Sequence, residues 1–101
     1  RLSFINKNLV DKDQYIADFY FKTKNYEAAL WRYRYIQANV SNKDLLTHAK
    51  YREVLALQKL EQYKECLDVM KVHAPFFTEK QITELESVAD NCAQKWKEKL
   101  Q

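Results

Sequence analysis

The chain of 101 residues contains no glycine and a single proline, at Pro75. Without glycine, few positions are expected to need a positive φ, and no glycine-rich loop exists to cradle a phosphate. With one proline, little interrupts long helices. No window approaches the roughly 18 apolar residues that a membrane span needs. Only two histidines occur, His48 and His73. Neither has the local spacing of a metal site or a catalytic triad. His48 is expected to face a groove or solvent, and His73 a helix end, where a cation suits the dipole. No cofactor, metal or small-molecule substrate is expected, and the chain is not read as an enzyme. The net charge of +3 is spread among acidic residues, short of the basic stripe of a nucleic-acid domain.

What the chain does have is 47% apolar residues, 31% charged residues and one motif written twice. Ala17-x-x-Tyr20 followed by Asn25-Tyr26-Glu27-Ala28-Ala29-Leu30 returns as Val54-x-x-Leu57 followed by Gln62-Tyr63-Lys64-Glu65-Cys66-Leu67. In each copy an aromatic opens a helix and a small residue (Ala29, Cys66) follows three positions later. A bulky residue (Tyr33, Met70) comes four positions after that. The pattern resembles the tetratricopeptide (TPR) repeat, whose helical hairpins bind proteins. Tyr26 and Tyr63 stand 37 positions apart, against a period of about 34. The excess is placed between Asn39 and Asp44.

The fold class expected is all-α, a TPR-like α-solenoid of five helices in one domain, residues 1–101. Residues 1–40 form a first hairpin with a long leading helix, 42–74 a second hairpin, and 78–100 a capping helix. The first helix runs from Leu2 to Lys22 on Leu2, Ile5, Leu9, Ile16, Phe19 and Tyr20, with Asp11-Lys12-Asp13 its weakest point. Asn25 caps the second helix, which carries Tyr26, Ala29, Leu30, Tyr33, Ile36 and Val40. Ser41 or Asn42 caps the third, with Leu45, Leu46, Ala49, Val54, Leu57 and Leu60 on its apolar side. The fourth, Gln62 to Val72, stops ahead of Pro75, which disfavours helix at Ala74. Thr78-Glu79-Lys80-Gln81 is a capping box for the fifth. There Ile82, Leu85, Ala89, Cys92 and Trp96 make one apolar stripe, as a terminal cap requires. The Leu2-x-Phe4-Ile5 start and a count of two repeats lead us to expect a piece of a longer chain.

Tyr26, Tyr33, Phe19, Tyr20 and Tyr63 are assigned to the core. Trp31 and Tyr35 lie off the buried stripe, interleaved with Arg32 and Arg34. That grouping reads either as an exposed pair packed on neighbouring turns or as a protein interface, since Trp, Tyr and Arg are enriched at hot spots. Asp18, Phe21, Lys22, His48, Tyr51 and Leu55 are candidates to line a concave groove for a peptide or a partner's helix. Cys66 and Cys92 sit on surfaces that should pack together. They either remain two buried thiols or pair as a disulfide, worth about 3 kcal/mol by the chain-entropy model.

Within the TPR superfamily, Tyr15-Ile16-Ala17-Asp18-Phe19-Tyr20-Phe21-Lys22 and Asn25-Tyr26-Glu27-Ala28-Ala29-Leu30-x-Arg32-Tyr33 resemble the BamD family. These are TPR lipoproteins of the outer-membrane β-barrel assembly machinery. The likeness covers residues 9–40; beyond Asn42 only the hairpin layout persists. The family usually closes this hairpin with Tyr-Pro, where the chain reads Asn39-Val40-Ser41. Glu53 stands where a TPR hairpin wants a large apolar residue. Neither cysteine resembles a lipoprotein cysteine, so any lipid anchor would lie outside the fragment.

The resemblance implies the carboxy-terminal part of a BamD-like scaffold at the periplasmic face of the outer membrane. It implies docking to a BamA POTRA domain, with Arg32 at the family's arginine position. Two alternatives are carried. A generic cytoplasmic TPR adaptor would use the groove around Tyr51, and a nucleic-acid binder would use Arg32, Arg34 and the aromatics with steep salt dependence.

Overall fold

Hydrophobic stripes at helical spacing, separated by caps rather than by glycine, build an all-helical chain. The computed structural model describes the backbone of residues 2–100 and the side chains of residues 12–100. Five helices follow in order: α1 (Leu2–Lys22), α2 (Tyr26–Asn39), α3 (Lys43–Lys59), α4 (Tyr63–His73) and α5 (Glu79–Leu100). A single 3₁₀ turn, Ala74–Phe76, carries Pro75 between α4 and α5. No strand occurs among the described residues. α1 runs unbroken through Asp11-Lys12-Asp13. The side chains of Leu2, Phe4, Ile5 and Leu9 lie outside the described residues.

The expected caps form. Asn25 accepts from the Ala28 N–H at 3.4 Å, and Asn42 rather than Ser41 accepts from Leu45 at 3.1 Å. Thr78 Oγ1 accepts from the Gln81 N–H at 3.2 Å, while the Gln81 side chain accepts from the Thr78 N–H at 3.0 Å, a reciprocal box. α4 starts at Tyr63 without a side-chain cap and extends one residue further than expected, to His73.

The two hairpin turns are copies of one another. Asn25 N–H donates to Tyr20 O at 2.8 Å and Lys24 N–H to Phe21 O at 3.1 Å. Thirty-seven positions on, Gln62 N–H donates to Leu57 O and Glu61 N–H to Gln58 O, both at 3.0 Å. This pair of bonds is a Schellman turn, which needs a left-handed residue. In a chain without glycine that duty falls on Lys24 (φ 67°) and Glu61 (φ 63°). The lack of glycine therefore did not exclude positive φ. It placed two long polar residues there, at a strain of about 1–2 kcal/mol each.

Small residues at the helix crossings set the packing. Ala17, Ala29, Ala49 and Ala56 are completely buried, and so is Cys66. One core cluster joins Ala17, Ala29, Tyr33, Ile36 and Ala49 across α1, α2 and α3. The other joins Leu30, Val54, Ala56, Leu57, Cys66, Phe77, Leu85, Val88 and Cys92. Of the aromatics assigned to the core, Tyr33 is fully buried, Tyr20 packs half-buried against the first cluster, and Tyr26 and Tyr63 pack half-buried against the second. Phe19 is the correction: it is 53% exposed. Two residues past Ala17 the helix has turned about 200°, so Phe19 leaves the face that Ala17 buries. Ile82 is also exposed, while Leu85, Val88 and Cys92 carry the buried stripe of α5. Ala89 and Trp96 are half-buried.

Candidate protein-interaction surface

α2 buries Ala29, Leu30, Tyr33 and Ile36, which leaves Trp31 and Tyr35, four apart, on the opposite side. Trp31 is 74% exposed and Tyr35 is 51% exposed. They line a shallow cavity of about 290 Å³ with Arg34, Ala38 and Asn39. On the α1 side, Arg32 lines a second hollow of about 320 Å³ with Tyr15, Ile16, Phe19 and Tyr20. Tyr15 and Phe19 are themselves exposed. Exposed aromatics thus occur on both α1 and α2, with Arg34 lining one hollow and Arg32 the other. Sequence reasoning found Trp31, Arg32 and Tyr35 but missed Tyr15 and Phe19. Their i, i+4 spacing on α1 was the available signal.

The two arginines have different roles. Among the described residues Arg32 makes one ion pair, Nη1 to Asp13 Oδ1 at 3.6 Å, with side chains 42% and 23% exposed. Such a pair contributes at most about 1 kcal/mol and leaves the guanidinium available. Arg34 is committed within the fold: Nε donates to Glu53 Oε2 at 2.9 Å and Nη2 to Glu65 Oε1 at 2.7 Å. Burial works against its charge, but these two carboxylates override that and raise its pKa.

Among the described residues Glu53 is the one buried charged side chain. It sits on α3, between α2 and α4, and also accepts from Gln37 Nε2 at 2.8 Å, with His73 Nε2 at the same distance. The apolar residue expected at this position is replaced by a carboxylate whose partners fill the space. His73 ends α4 as expected, but its ring turns inward to Glu53 rather than serving the helix dipole. Burial alone would raise the Glu53 pKa. Hydrogen bonds from His73, Gln37 and Arg34 outweigh it and bring the value from 4.5 down to about 2. The unfolded chain therefore takes up this proton first as pH falls. The stabilisation is complete above pH 4.5 and is lost between 4.5 and 2, an effect of about 3 kcal/mol. Urea midpoints measured from pH 7 to pH 2 should fall across that window. Glu53→Gln should flatten that part of the profile.

The groove candidates are largely occupied by contacts within the chain. Asp18 accepts from the Tyr33 hydroxyl and lies 2.9 Å from His48 Nε2. His48 also meets the Tyr33 ring edge-on at 5.9 Å and keeps 29% of its side chain exposed, so it is engaged within the chain while still reaching solvent. Phe21 packs edge-on against Tyr26 and Tyr33, with the Arg52 guanidinium 4.3 Å above its ring. The Tyr51 hydroxyl donates to Glu84 of α5 at 2.7 Å; burial first, then that bond, raise the phenol to about 12. Leu55 packs against the core and Lys22 is exposed. Cys66 and Cys92 are free thiols, fully buried between α4 and α5.

Among the described residues no three His, Cys, Asp or Glu gather as a metal-holding group. None of the described helices is long and apolar enough to cross a membrane. The α1–α2 face offers aromatic area to bury and a guanidinium able to hold a carboxylate. No protein-family model, curated protein or solved structure matches the chain.

Proposed function

We propose that this chain is a non-enzymatic interaction scaffold whose α1–α2 face docks another protein. In this reading it is a TPR-like α-solenoid, two hairpins closed by α5, and a BamD-like component of outer-membrane β-barrel assembly. It works at the periplasmic face of the outer membrane and docks to a BamA POTRA domain. The repeat assignment is supported by the duplicated Schellman turns and by the complete burial of Ala29 and Cys66 at equivalent places. The partner assignment rests on the sequence resemblance around Arg32.

The observation that carries the docking surface is the exposed Trp31–Arg32–Tyr35 cluster, continued by Tyr15 and Phe19 on α1. Exposed aromatics gathered around an arginine match the composition of interface centres. Arg32 would clamp a partner carboxylate while the rings exclude water. The adaptor alternative is less favoured, because Asp18, Phe21, His48 and Tyr51 are already engaged within the chain.

The test is binding of the wild type, Arg32→Glu and Trp31→Ala to the soluble POTRA domains of BamA from the same organism. Each substitution should weaken binding by roughly 30-fold or more, with the helical circular dichroism unchanged. A well-folded wild type that does not bind would sink the assembly reading. Tyr51→Ala would then be the variant with which to examine the groove.

A further inference from the structure

The chain has two cysteines, and the fold brings them face to face. Cys66 projects from α4 and Cys92 from α5, both fully buried, with their sulfurs 2.7 Å apart. Leu57, Leu85 and Val88 belong to the same cluster, so the pair sits inside the core that holds α5 to the second hairpin. A disulfide bond measures about 2.05 Å, so closing one requires a shift of less than about 1 Å. α5 has particular need of such a tie. It is 22 residues long, yet only Leu85, Val88 and Cys92 are buried. Its cross-helix hydrogen bonds from Tyr51 to Glu84 and from Gln58 to Asn91 are exposed.

We propose that Cys66 and Cys92 are a redox modification site, closing an intramolecular disulfide that staples α5 to α4. This stands independently of the docking surface on α1 and α2. Each thiol loses a proton and the pair gives up two electrons. Electrons and protons pass to a disulfide oxidant, either oxidised glutathione or the active-site disulfide of a thiol oxidase, which is reduced to two thiols. The exchange runs through a mixed disulfide, so one sulfur must first be reached from solvent. Burial of both sulfurs confines that step to the time before α5 docks, or to moments when it lifts away. Burial also raises both thiol pKa values, most strongly through desolvation, which keeps the docked thiols unreactive. Once formed, the bond is shielded from reductants by the same packing.

The experiment is refolding of the reduced chain in a buffer of reduced and oxidised glutathione. The product is then denatured, treated with N-ethylmaleimide and weighed intact. The expected product is a monomer carrying no adduct, lighter than the reduced chain by two hydrogens. It should melt roughly 10–20 °C above the reduced form, as a 27-residue loop in a domain of this size implies. Dithiothreitol should reduce it at least tenfold more slowly when folded than in denaturant. Two maleimide adducts, glutathione adducts, disulfide-linked dimers, or an oxidised form that melts no higher would each overturn the proposal.

Discussion

Replacing Glu53 by alanine should lower the unfolding free energy by about 3–5 kcal/mol, a large share of what a domain of this size possesses. The Glu53 side chain is 7% exposed and accepts from Arg34 and Gln37 of α2, with His73 of α4 against the same carboxylate. Its removal strands the His73 ring, whose side chain is 12% exposed, and takes from Arg34 one of its two carboxylates. Glu53→Gln keeps the shape and most hydrogen-bonding positions but loses the charge, so it should fall between, at about 1–3 kcal/mol. Chemical denaturation followed by circular dichroism at pH 7 measures both. A loss below about 1 kcal/mol for the alanine variant would mean that water solvates this cluster, and the acid-sensitive window would vanish with it.

Tyr33→Ala should be comparably severe, at about 3–5 kcal/mol, because it empties the centre of the first core cluster. Tyr33 has no exposed surface and touches Phe21 and His48 with its ring edges. Its hydroxyl donates to Asp18, and burial followed by that bond raises its pKa well above the ordinary value of a tyrosine. Tyr33→Phe separates the two contributions. It keeps the ring and removes only the donor, and Asp18 still has His48 at 2.9 Å, so the loss should be about 1 kcal/mol. Equal losses in the two variants would show that the hydrogen bond rather than the packed volume holds α1 to α2.

Other positions separate into those whose structure is decided locally and those whose structure is decided by packing. Asn25, Asn42, Thr78 and Gln81 were legible as caps because each bonds a backbone or side-chain group three residues away. Trp31 and Tyr35 were legible as outward-facing because a helix fixes which residues oppose Ala29 and Tyr33. Phe19 and Ile82 were misjudged, since apolar character alone does not say where a neighbouring helix ends or how far its contact reaches.

By itself, then, the sequence determined five helices, the caps of α2, α3 and α5, the repeated hairpin and the aromatic face of α2. Each of these follows from interactions within a few residues or one helical turn. The tertiary structure alone decided that Glu53 would be a buried ion between His73 and Arg34, and that Asp18 would hold both Tyr33 and His48. It also placed Cys66 against Cys92, where the spacing had left pairing open. These partners are between 15 and 30 residues apart, and their meeting depends on helix crossing and register, which are set by the collective fit of the small residues Ala17, Ala29, Ala49, Ala56 and Cys66 at the contacts.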